Sequence, residues 1–228
     1  MATRVPDPTL LLGDLDARLR RLSAPTTAEV RAVRRAVSRE LRNAEPRVVL
    51  SLADRLVARD APFDRFLAYE LLTSHRATLA RLTATDLRRL GRGMDSWGDV
   101  DAFACYVAGP AWRARQVPDG EIARWARSRD RWWRRAGVVS TVPLNSKARG
   151  GSGDAARTLA VCRLAVDDDD PMVVKALSWA LRELAKRSPR DVERFLAEHD
   201  PRLPALVRRE VRSKLTTGLK SARQSARG

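Results

Sequence analysis

Apolar residues recur at spacings of three and four along nearly the whole chain, and no stretch alternates apolar and polar residues over the length of a strand. Leu10, Leu11 and Leu12 open the first such segment, and Leu15, Leu19 and Leu22 continue it at helical spacing over 9–22. Val30, Val33, Val37 and Leu41 line one face of a second helix, which Thr26 or Thr27 can cap and which runs to Asn43. Pro46 stands where a first helical turn tolerates proline, ahead of a third helix over 48–57. Asp60-Ala-Pro-Phe63 leads into another, carrying Phe66, Tyr69, Leu72 and Leu79, and a short piece over 86–90 stops at Gly91 and Gly93. Beyond it the pattern predicts helices over 97–108, 119–127, 129–142, 154–167, 171–187, 189–198 and 204–217.

Helices joined by short turns, with no strands between them, predict an all-α fold. The expected architecture is an α-solenoid of HEAT-like antiparallel helix pairs in one domain over 1–217, with a concave basic face; a compact bundle is the alternative. No strict 34-residue period is present, which disfavours tetratricopeptide repeats. Two segments read as flexible by composition. One is the glycine-rich stretch from Asn145 to Asp154, and the other is a basic tail over 218–228.

Charge adds the first functional signal. The 228 residues carry 44 Lys+Arg against 28 Asp+Glu, a formal net charge of +16 at pH 7, which points to a polyanionic partner. Cys105 and Cys162 are too few and too far apart for a disulfide framework or a zinc site, and read as core residues of a reduced, cytoplasmic protein. No apolar run approaches a membrane span, and the first residues lack the layout of a signal peptide, so no membrane partner is expected. The motifs of zinc, serine-hydrolase and P-loop chemistry are missing. His75 and His199 have no further ligand at metal spacing and read as packing or surface residues. No metal and no cofactor are therefore expected.

Tryptophan is the unusual residue, with six against two Tyr and four Phe, several of them beside cations. Helical spacing puts Trp132 and Arg135 on adjacent faces, and Lys175, Trp179 and Arg182 on a shared one. Aromatics interleaved with cations suit a nucleotide backbone or a cationic base, although tryptophans also fill cores. Ser96 with Asp99 three residues later predicts a helix start. Trp97 and Asp101 then lie one turn apart near the positive end of that helix, a setting that favours an ionised Asp101.

The segments WGDVDAFA, WWRRAGVV and KALSWALRELAK, in this order, resemble the AlkD-like family of DNA alkylation-repair glycosylases, most clearly over 90–215. Trp97 and Asp101 match the tryptophan and catalytic aspartate of the family's first signature. Arg135 matches the active-site arginine of the second, and Trp179 the tryptophan of the third. The resemblance implies a monomeric HEAT-like solenoid that holds duplex DNA and hydrolyses the N-glycosidic bond of cationic alkylpurines, N3-alkyladenine and N7-alkylguanine, without flipping the base. It implies catalytic roles for Asp101, Trp97 and Trp179 and a phosphate contact for Arg135. Trp132, Lys175, Arg182, Lys147 and Arg149 are further expected DNA contacts. Ser96, Gly98 and Gly137 depart from the family pattern; Ser96 removes bulk beside the site, which either leaves room for a larger adduct or merely alters packing. A non-catalytic helical module that binds distorted DNA is the reading from another class.

Overall fold

The computed structural model describes residues 7–22 and 25–221, and among these every regular element is a helix. The chain forms two compact units that divide between Gly93 and Met94. The first holds α1 (Pro8–Arg20), α2 (Thr27–Glu40), α3 (Pro46–Arg59), α4 (Asp64–Ser74), α5 (Arg76–Leu79) and α6 (Ala84–Leu90). The second holds α7 (Trp97–Phe103), α8 (Gly109–Arg113), α9 (Asp119–Ala126), α10 (Arg131–Val139) and α11 (Val142–Asn145). It continues with α12 (Ala155–Cys162), α13 (Pro171–Ala185), α14 (Pro189–His199) and α15 (Ala205–Thr217). No helix is long and apolar enough to cross a membrane among the described residues. Of the expected tail over 218–228, residues 222–228 lie outside the described ones.

Local chemistry sets the helix starts. Thr26 and Glu29 close a reciprocal capping box at α2, Thr83 and Asp86 another at α6, and Asp170 caps α13 by accepting from the Met172 and Val173 amides. Pro8, Pro46, Pro171 and Pro189 occupy first turns, where a missing N–H costs nothing.

In the first unit α3 packs against α4, and Leu52 and Leu56 of the one and Leu67 and Leu71 of the other are fully buried or nearly so. Asp64 is also buried, and is held there by the Nε and Nη2 of Arg59, each at 2.7 Å, and by the Ala61 amide at 3.0 Å. That is the condition under which an interior carboxylate is tolerated.

The second unit is built around α13, which packs against α10, α11, α12, α14 and α15. A helix with neighbours on most sides needs apolar residues around most of its circumference. Val173, Ala176, Leu177, Ala180, Leu181 and Leu184 provide them. Gly137 lets α10 approach α9 closely, because a Cβ there would stand 2.7 Å from the Ala126 nitrogen. The glycine that departs from the family pattern thus meets a packing requirement of this chain. All six tryptophans lie in this unit.

Four predicted helices are subdivided. The one carrying Phe66, Tyr69, Leu72 and Leu79 breaks at His75 into α4 and α5, and the span 154–167 is α12 followed by a 3-10 turn over Arg163–Ala165. The span 97–108 is α7 followed by a π-helical turn over Ala104–Ala108, and α8 continues from it. The span 129–142 ends as α10 at Val139, and α11 starts anew with Pro143 in its first turn. Both histidines serve packing. His75 caps α5 by accepting from the Thr78 amide, and His199 stacks edge-on to Phe195 with ring centroids 4.6 Å apart.

Candidate active site

Ser96 caps α7 as predicted, accepting from the Asp99 amide at 3.1 Å. The helix then presents Trp97 with 63% of its surface exposed, and Asp101 one turn later with 20% of its side chain accessible. Arg135 of α10 meets Asp101 in a bidentate pair, Nε to Oδ1 at 2.9 Å and Nη2 to Oδ2 at 2.8 Å. Its third arm, Nη1, donates to the Met172 carbonyl in the first turn of α13. One guanidinium therefore ties together three helices and fixes the direction of the carboxylate.

This alters two expectations. Arg135 is only 5% exposed and turned toward a carboxylate and a carbonyl, so it holds Asp101 in place instead of facing an incoming phosphate. The Asp101 carboxyl is also raised above its ordinary value, not lowered. Burial is the largest cause, and the Arg135 hydrogen bond and the charges of Arg135 and Arg149 pull against it. A helix start does favour the anion, but desolvation in this partly buried position outweighs it.

The tryptophans divide into two groups. Trp125 and Trp133 cluster with Phe103, with ring centroids 5.0–6.1 Å apart, and Trp125 donates its Nε1 to Glu121 at 2.7 Å. Trp112 is buried with its Nε1 on Asp119 at 2.7 Å and the Arg157 guanidinium 4.9 Å from its ring. Trp112 and Trp125 belong to the core, and Trp133 is half-buried against Trp125 and Phe103. Trp97 is exposed, while Trp132 and Trp179 are half-buried; Arg131 lies 4.7 Å over the Trp132 ring.

Lys175 and Arg182, which share a face of α13 with Trp179, have acidic company. Lys175 is exposed and lines an open cavity of about 490 Å³ with Asp167, Asp168 and Asp169. Arg182 donates to Ser178 Oγ at 3.2 Å and lies 3.5 Å from Glu210, and burial lowers its pKa. At Arg182, part of the charge expected to face DNA is met within the protein.

The glycine-rich segment over 145–154 is not the free loop its composition predicts. Asn145 is buried and donates Nδ2 to the Thr141 carbonyl and to Thr158 Oγ1, while its Oδ1 accepts from the Asp154 amide. Arg113 donates Nη1 to the carbonyls of Pro143 (2.9 Å) and Arg149 (2.6 Å). Arg187 donates Nε to the Asn145 carbonyl (3.0 Å) and Nη2 to the Gly151 carbonyl (3.1 Å). Gly151 packs so tightly that a Cβ would stand 2.4 Å from the Pro143 oxygen. Along this frame Lys147 is exposed, and Arg149 is half-buried with its guanidinium 5.3 Å over the Tyr106 ring. Sequence reasoning missed Tyr106, Asn145, Arg113 and Arg187. The spacing of Asn145 four residues after Thr141 was the one local signal, since an asparagine on a helix end can bond back to the preceding turn.

A family model described as DNA alkylation repair enzyme matches residues 22–215. No curated protein and no solved structure matches the chain.

Proposed function

The chain belongs to the DNA alkylation repair enzyme family, and on that basis we propose that it is a monofunctional DNA glycosylase acting on N3-alkyladenine and N7-alkylguanine in duplex DNA, as a monomer. The observation that carries this reading is the Asp101 carboxylate, held by Arg135 one helical turn from the exposed indole of Trp97.

The substrate's chemistry fits a site with a single carboxylate. An alkylated purine carries positive charge, so when the C1′–N9 bond breaks its electron pair neutralises the departing base. No general acid is needed for the leaving group, in contrast with the paired carboxyls of ordinary glycosidases. Positive charge builds up on the deoxyribose instead, and Asp101 stabilises it while orienting the water that adds at C1′; the water's proton passes to solvent and an abasic site remains. Trp97 and Trp179 offer ring faces to the cationic nucleotide. Arg135 acts through Asp101, preorganising it, and Lys147, Arg149 and Trp132 are the outer contacts to the DNA backbone.

The test is release of free base from methylated duplex DNA, identified by mass. Asp101→Asn keeps the shape and removes the charge, and its rate should fall by about 10²–10³. Trp97→Ala should lose rate at almost unchanged stability, since so exposed a ring contributes little to the fold. Equal release by wild type and Asp101→Asn would remove the role given to Asp101. No release by wild type, from methyl or larger adducts alike, with DNA binding intact would favour the non-catalytic module.

A further inference from the structure

Asp101 and Arg135 form a pair with no net charge, but a duplex brought against them adds phosphate charge to a partly desolvated carboxylate. A bare site would respond by repelling the DNA or by protonating Asp101. A second cation is needed there, and Arg135 is already committed.

Arg149 meets the requirement on independent grounds. Its backbone is clamped by Arg113 on its carbonyl, within the segment that Asn145 and Arg187 also hold. Its guanidinium lies over the Tyr106 ring, which limits its rotamers without neutralising it. No carboxylate within ion-pair distance is found for it among the described residues. The π-helical turn over Ala104–Ala108 contributes to the placement. Tyr106 lies within this turn, five residues after Asp101 of α7. The charge of Arg149 reaches both Asp101 and Cys105. The groups that bear on Asp101 are Arg135 from α10 and Arg149 from the clamped segment; Asp101 in turn acts on the Cys105 thiol of the π turn, as do both arginines and Glu183 of α13.

We propose that Arg149, held on the Tyr106 ring, is the positioning cation that balances the DNA phosphate brought up against Asp101, so that docking leaves the charge of the site unchanged. The division of labour is then one arginine for the carboxylate and one for the DNA. This rests on the glycosylase reading above.

The experiment uses the full chain and a duplex carrying one N7-methyl-deoxyguanosine. It compares wild type with Arg149→Gln, Arg149→Lys, Tyr106→Leu and Tyr106→Phe. Arg149→Gln should raise KM roughly 10-fold or more, the scale of one charge-assisted contact. It should make the salt dependence of binding shallower by about one phosphate, a slope change of about 0.9. It should also move the acid limb of kcat to higher pH, because the bound phosphate then bears on Asp101 uncompensated. Arg149→Lys should keep the acid limb of wild type. Tyr106→Leu should resemble Arg149→Gln in KM, and Tyr106→Phe should restore wild-type behaviour. The clamp on residue 149 uses its backbone carbonyl, so all four variants keep it. An Arg149→Gln enzyme with the wild-type salt slope and acid limb overturns the proposal while wild-type base release still stands. Failure of wild type to release base overturns the glycosylase reading itself.

Discussion

The Asp101–Arg135 pair offers the sharpest physical test. Two opposite charges about 4 Å apart attract by about 4 kcal/mol at an effective dielectric of about 20. Yet burial outweighs that attraction, since the Asp101 carboxyl sits above its ordinary value with the arginine in place. The pair as a whole therefore adds little net stability, while either charge left alone is expensive. Arg135→Met should cost about 3–4 kcal/mol, because it leaves a partly buried carboxylate and the Met172 carbonyl without their partner. Asp101→Asn leaves the Arg135 charge without its counter-ion but should cost less, about 1–2 kcal/mol, since the amide oxygen still accepts from the guanidinium and the Met172 carbonyl keeps its bond. The double variant carries no unpaired charge, so it should be more stable than Arg135→Met alone, with a coupling of about 2–3 kcal/mol. Urea unfolding followed by tryptophan fluorescence suits the measurement, because all six indoles lie in the second unit and report its melting. The Arg135→Met deficit should shrink on acidification. A carboxyl with a raised folded-state pKa binds its proton more tightly in the folded state, and protonation removes the unpaired charge. Additive losses to within about 0.5 kcal/mol, or a deficit insensitive to pH, would refute the reasoning.

Two further predictions concern packing. Gly137→Ala should destabilise the second unit by about 1–3 kcal/mol, read by the same urea melt, because the new methyl meets the Ala126 backbone and not a side chain that can move aside. Cys105 and Cys162 are buried thiols whose pKa is pushed up to about 12 by desolvation. A colourimetric thiol reagent at pH 8 should label neither until urea opens the fold, and rapid labelling of the native protein would contradict their burial.

Much of the fold was legible because its determinants are local. Thr26 and Ser96 cap the helices they were expected to cap, and Pro46 occupies the first turn of α3. Periodicity could not locate the π turn after Phe103, because one extra residue per turn leaves the apolar spacing almost unchanged over so short a stretch. At the site, Trp97 and Asp101 were read from the motif and the cap. The direction of Arg135 was not, because the partners that turn it inward lie 34 and 37 residues away. Composition misjudged the segment over 145–154 for the same reason. Glycine and serine permit flexibility, but Arg113 and Arg187 reach it from 36 residues away on either side and remove it.

The clamped segment bears on how the molecule can be handled and varied. Glycine-rich stretches between helices are ordinarily the first places to admit an insertion, a tag or a protease. Here such a cut would free the Asn145 amide from its three partners and the carbonyls of Arg149 and Gly151 from theirs. Residues that appear to be the chain's most disposable linker are thus among the least replaceable in its second unit, and Lys147 and Arg149 should survive a brief tryptic digest that cleaves elsewhere.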